Sequence, residues 1–249
     1  MATFEVQVEG LTSLTLDGSS APTQDELTQF LTDGAKEIIN NLPGHLLPLC
    51  ASSNTFTSGS AETLVTGKIL NVFRNDGDIN QPCRKIPAKQ KGKVSDPDDM
   101  AYATITDPVF FIDNNTLDVL PAGGSCSYSA VAYPSVAYSA SAIAAFPNEA
   151  EHLVVLYGAI KSLQNVLANM DSSIVHSDQD GSYSASSSSS QGWEKVRDYL
   201  HSDEDTEISN ASLQALSSEM QQFVTEYQWR EKQQAKLQAD YEKGLQALG

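Results

Sequence analysis

The chain has 249 residues, 32 acidic against 15 basic, and a formal charge of −17. That length makes one large domain or two small ones, and 40% hydrophobic with 19% charged residues suits a chain that buries a core. So negative a balance argues against general nucleic-acid binding and against adsorption to anionic membranes, since both need clustered cations.

The opening MATFEVQVEG has no basic region followed by a long apolar run, and nowhere do eighteen apolar residues follow one another. Neither a signal peptide nor a membrane span is predicted. Cys50, Cys83 and Cys126 are odd in number and form no CxxC pair, so they read as reduced thiols from a cytosolic assembly site. The sequons at Asn114 and Asn210 are then chance matches.

Along the chain, Phe4, Val6 and Val8, then Leu11, Leu14 and Leu16, alternate over Thr3 to Thr15, which predicts a strand or strand pair. From Thr23 to Leu42 the period becomes helical, with Leu27, Phe30, Leu31, Ile38, Ile39 and Leu42 on one stripe. Thr23 and Glu26 form a capping-box pair, and Pro43 with Gly44 stops the helix. Residues 52 to 140 carry short runs rich in Val, Ile, Thr, Tyr and Phe between turn residues, predicting four to six strands. The clearest hairpin is FFID and LDVL around Asn114 and Asn115, because Asn tolerates the positive φ of a tight turn.

Pro147 opens a second helix in which Leu153, Leu156, Tyr157, Ile160, Leu163, Val166, Leu167 and Met170 repeat at threes and fours, the most apolar helix of the chain. The stretch from Asp171 to Gln191 ends in SYSASSSSSQ, a composition that predicts a flexible connector. WEKVRDYL predicts a short helical piece, and a longer helix runs from about Ser209. There Leu213, Leu216, Met220, Phe223, Tyr227, Arg230, Gln234, Leu237, Tyr241 and Leu248 keep a three-four spacing. Five heptads of it make a rod of roughly 54 Å, longer than a compact domain of this size needs internally.

The expected fold is α+β, a helical bundle with an inserted small β-domain and a long C-terminal helix. Residues 1–51 supply a strand and the first bundle helix, 52–146 the β-domain and 147–172 the central helix. A serine-rich linker follows at 173–192 and a C-terminal helical arm at 193–249.

Catalysis needs a nucleophile or an acid/base pair held by orienting neighbours, and little here builds one. His45 lies in a Pro-Gly-rich turn, His152 on a polar helix start, and His176 and His201 in polar linkers. No GxSxG, HExxH, Walker loop or paired GxGxxG occurs. Asp76, Asp78 and Asn80 imitate half of a calcium loop. Gln81 replaces its glycine and Pro87 its bidentate glutamate, so a plain turn is expected.

Arg84, Lys85, Lys89, Lys91 and Lys93 place five of the fifteen basic residues within ten positions. They read either as a solvated loop or as an electrostatic contact with an acidic face of a neighbouring copy or another protein. In the last helix Met220, Phe223, Tyr227, Trp229, Leu237 and Tyr241 are of the kind that anchors a partner interface, the alternative being that they close the protein's own core.

The order of segments adds a resemblance. LTQFLTDGAKEIINNLP, a β-rich insertion containing CRKIPAKQKGKVSDPDDMAYATITDPVFFIDNNTLDVLPA, and FPNEAEHLVVLYGAIKSLQNVL resemble structural proteins of tailed bacteriophages, specifically the head-to-tail connectors, the adaptor or neck proteins under the portal. The resemblance covers residues 20 to 172. It implies a homo-oligomeric ring, twelve-fold in the virion neck, between the portal protein and the tail or neck proteins, with DNA passing through without specific binding. It implies no catalytic residue, no cofactor and no membrane, and a protein made in the host cytoplasm. A tail-completion or stopper ring is the neighbouring reading. From another class, the β-rich middle would be a ligand-binding module on a helical stalk, with Tyr128, Tyr133 and Tyr138 lining a groove.

Overall fold

The computed structural model describes residues 2–64, 68–170, 175–178, 181–184 and 206–248. In chain order the first elements are α1 (Phe4–Thr12), α2 (Gln24–Asn41), β1 (Ala51–Thr57), β2 (Glu62–Thr63), β3 (Ile69–Asn75), β4 (Asn80–Pro82), β5 (Arg84–Lys85) and α3 (Lys91–Ser95). Then come β6 (Val109–Asp113), β7 (Thr116–Leu120), β8 (Ser125–Val131), α4 (Glu151–Met170), β9 (Val175–Asp178), β10 (Gly181–Ser184) and α5 (Thr206–Leu248). The chain is α+β with a long C-terminal helix. It divides into two compact units, a helical one formed by Met1–Ile38, Ser135–Ala142 and Glu151–Gly249, and a β-rich one formed by Ile39–Pro134 and Ile143–Ala150.

The strand expected over Thr3 to Thr15 is a helix. Phe4, Val8 and Thr12 are buried while Val6 is 53% exposed, so the buried positions recur every four residues and not every two. Thr3 caps the helix, its Oγ1 accepting from the Val6 N–H, and Ser13 closes it in the left-handed conformation at φ 55. The first turn also has distant acceptors, for the Phe4 and Glu5 N–H groups donate to the carbonyls of Ala140 and Tyr138. Tyr138 belongs to the run SYSAVAYPSVAYS, whose strand ends at Val131, and Ala140 directly follows it. After Pro134 its Val136 and Tyr138 N–H groups donate instead to the hydroxyls of Thr32 and Thr28 on α2.

The capping box on α2 forms as its residues dictate. The Thr23 N–H donates to Glu26 Oε2 at 2.7 Å and the Glu26 N–H to Thr23 Oγ1 at 3.3 Å. Leu27, Leu31, Ala35 and Ile38 on this helix and Leu153, Val154, Ala159, Ile160 and Leu163 on α4 are all buried. Pro147 precedes a short 3-10 turn, Asn148–Ala150, from which α4 continues.

The β-rich unit holds two four-stranded sheets, in the orders β1-β8-β3-β4 and β2-β7-β6-β5. Among the described residues eight strands form where four to six were expected, because the runs are cut into shorter pieces, two residues in β2 and β5. All pairs are antiparallel except β5 with β6. Asn114 and Asn115 join β6 to β7 at φ 46 and 60, the double positive φ of a tight hairpin turn. Val72, Cys126, Tyr128 and Ala130 of one sheet and Phe110, Leu117 and Val119 of the other share a core. The opposite face of β6, Val109 and Phe111, packs with Ile86, Val94 and Ala103, so this strand is buried on both sides.

In the segment expected as a connector, β9 and β10 pair antiparallel. The serine run, and the helical piece expected at 193–200, lie outside the described residues.

Candidate functional site

α5 has 43 residues, about 64 Å at 1.5 Å per residue, whereas α4 has 20 and spans about 30 Å. The two run antiparallel: Gly244 abuts Leu153 near the start of α4, and Arg230 Nη1 lies 3.4 Å from Met170 Sδ at its end. Only the C-terminal half of α5 therefore has α4 to lie against.

This decides the fate of the six residues expected at a partner interface. Leu237 and Tyr241 are 3% and 4% exposed and belong to the chain's own core, which corrects their expected role as partner anchors. The Tyr241 hydroxyl donates to Glu37 Oε1 at 3.2 Å, and its ring lies 5.9 Å from that of Tyr157. Burial, reinforced by the Glu37 carboxylate, pushes the Tyr241 hydroxyl well above the ordinary tyrosine range, and the same causes in the same order raise Tyr157. Met220, Tyr227 and Trp229 are exposed, and Phe223 is partly covered with its ring stacked near Tyr227. Val224, which the reading of large side chains passed over, is 47% exposed beside them. The helical period alone would have placed it on the same face as Met220.

The five cations fall into two groups. Arg84 Nη2 meets Asp107 at 3.0 Å, and Lys91 Nζ lies 3.7 Å from Asp118 Oδ2 and over the Phe111 ring. Lys85, Lys89 and Lys93 are exposed and form no ion pair among the described residues. The acidic loop that supplies Asp107 also exposes Met100, Tyr102 and Ile105.

One cation that sequence reading missed is buried. Arg74 on β3 is 4% exposed, its Nε donating to the Pro121 carbonyl at 3.1 Å while Nη1 has no hydrogen-bond partner among the described residues. The available signal was an arginine two residues after Val72, and so on the same face of the strand, though nothing local says that this face points inward.

His45 and His152 are exposed. The NDGDIN stretch is the β3–β4 turn, in which Asp76 Oδ1 accepts from the Asp78 and Ile79 N–H groups, contacts that hold its carboxyl below the usual range. Among the described residues no three His, Cys, Asp or Glu side chains group as metal ligands. The three cysteines are free. Burial raises each thiol, and Cys83, with Cys126 near it, is pushed up to about 12. Thiols held protonated in this way are poor nucleophiles.

Tyr128 is buried against Phe56, and the Tyr133 hydroxyl donates to Asn40 at 2.8 Å, while Tyr138 lies in the helical unit. The groove expected from their five-residue spacing therefore lacks Tyr128. Among the described residues no helix is long and apolar enough to cross a membrane. No protein-family model matches the chain, and no curated protein is detectably similar to it.

Proposed function

We propose that this chain is a structural protein of a tailed-phage virion, a head-to-tail connector that assembles as a ring, twelve-fold in the neck, between portal and tail. It acts as a passive fitting: it extends the DNA channel, seals the filled head and presents docking surfaces.

The observation that carries the reading is α5, whose N-terminal half extends past α4 and exposes Met220, Val224, Tyr227 and Trp229. Singly exposed apolar residues are ordinary, and Trp229 stands on the other side of the helix, but Met220, Val224 and Tyr227 share one face and mark a surface built to be covered. The charge agrees with it. Copies at −17 each give a channel wall that repels the phosphate backbone and keeps passing DNA from sticking. Ring contacts must offset that repulsion, through apolar burial and through local cations such as Lys85, Lys89 and Lys93.

The test is to purify intact particles, identify their polypeptides by mass spectrometry and count this chain against the portal protein. Antibody labelling then locates it at the neck. Its absence from intact particles, or a turnover reaction catalysed by the lone purified chain, would overturn the reading.

A further inference from the structure

Met220, Phe223, Val224 and Tyr227 stand at positions i, i+3, i+4 and i+7 of one face of α5. Met220 is 52%, Val224 47% and Tyr227 38% exposed. That spacing is the anchor pattern of a helix laid into an apolar groove. The same helical unit carries such a groove. A cleft of about 460 Å³ between α1 and α4 is lined by Val6, Leu11, Val155 and Leu156, with Gly10 and His152 beside them.

Within one chain the stripe and the cleft cannot meet. Gly244 abuts Leu153, next to the cleft's His152, and α5 runs from there away along α4. At the cleft's other end Gln233 Nε2 donates to the Leu11 carbonyl at 2.9 Å, and along a straight helix Tyr227 lies about 9 Å and Met220 about 20 Å beyond Gln233, pointing away from the cleft. The contact can therefore form only between two molecules.

Charge points to a second copy as the occupant. From Ile208 to Thr225 the helix holds one ionisable residue, Glu219, in a chain whose composition is 19% charged. Copies that each carry −17 approach one another at least cost through a segment that adds almost no charge of its own.

We infer that the Met220–Tyr227 stripe of one copy seats in the α1/α4 cleft of the next. This is a head-to-tail contact in which every copy gives one stripe and receives another, and such contacts close into rings or run on as filaments. The inference rests on the ring reading above and names the surfaces through which neighbours join.

The test mixes a Tyr227→Cys chain with a Val6→Cys chain and adds a short bismaleimide. Both positions are exposed, so neither change disturbs the core. The native thiols are raised by burial and react poorly. At about 1 mM protein even a contact of millimolar Kd is substantially populated. The expected product is a dimer linked between positions 227 and 6. It should exceed by about 10-fold that of a control pairing Tyr227→Cys with Ile79→Cys, an exposed position in the β-rich unit, and Met220→Lys should lower it by a similar factor. A yield no higher than the control overturns the inference. So does a 227-to-227 product alone, which would mean that two arms pair with each other. If the chain sits in particles at ring stoichiometry without the 227-to-6 link, this contact is wrong and the connector reading stands.

Discussion

Gly244 on α5 packs directly onto Leu153 of α4: a β-carbon added at Gly244 would stand 2.3 Å from Leu153 Cδ2. Leu153 is fully buried, so its terminal methyl can give way only by shifting against other core side chains. Gly244→Ala would gain up to about 1 kcal/mol of helix propensity, while forcing a methyl into a filled core costs about 1–3 kcal/mol. The expected net loss, up to about 2 kcal/mol, is read as a lower urea midpoint at unchanged m-value. A stability above that of the parent would mean that the two helices have room to spare.

The two halves of α5 should respond differently to truncation of their side chains. Leu237→Ala removes a side chain that is 3% exposed and should cost about 2–5 kcal/mol. Met220→Ala and Trp229→Ala, at 52% and 47% exposure, should each stay within about 0.5 kcal/mol of the parent. Paired denaturation curves check this, and equal losses in both halves would refute the division.

Alkaline pH should destabilise the fold. Tyr241, Tyr157 and Cys83 all have folded pKa values above their ordinary ones, with Cys83 at about 12. The folded state therefore holds protons that the unfolded chain releases. The stability they contribute is complete below about pH 8.5 for the thiol and about pH 10 for the phenols, and falls as pH rises beyond those values. Unfolding free energy measured from pH 7 to 11 should decline in that window, and Tyr241→Phe should flatten the decline above pH 10. A flat profile in the parent would contradict the burial of these groups.

In the β-rich unit Gly124 leaves room for the buried Arg74 guanidinium, since a β-carbon there would lie 2.7 Å from Arg74 Cζ. Gly124→Ala should cost at least about 1 kcal/mol. Arg74→Met exchanges a buried charge for an apolar stem and should be close to neutral or stabilising. In the Arg74→Met background the added methyl should be cheaper by about 1 kcal/mol, a coupling that a double-mutant cycle measures. Additive effects would separate the two residues.

Replacing Lys85, Lys89 and Lys93 by Ser should leave monomer stability within about 0.5 kcal/mol, because none forms an ion pair among the described residues. Ring or neck assembly should weaken, and its dependence on salt should shrink. Replacing Arg84, whose half-exposed pair with Asp107 is of the kind worth at most about 1 kcal/mol, should touch stability only slightly. Unchanged assembly in the triple variant would remove the lysines from the interface.

Much of this architecture is written in short stretches of residues. Thr23 and Glu26 cap α2 whatever lies around them, and Asn114 with Asn115 turns β6 into β7, because both motifs are hydrogen-bond or backbone preferences settled within four residues. The length of α5, the acidic balance and the five clustered cations were legible for the same reason. Tertiary structure decided the rest. Residues 4 to 12 satisfy a period of two as well as one of four, and the choice of helix is coupled to acceptors at Tyr138 and Ala140, more than a hundred residues away. Met220 and Tyr241 follow one three-four spacing, yet one is exposed and the other buried. Burial depends on how far a neighbouring helix extends, and α4 ends at Met170.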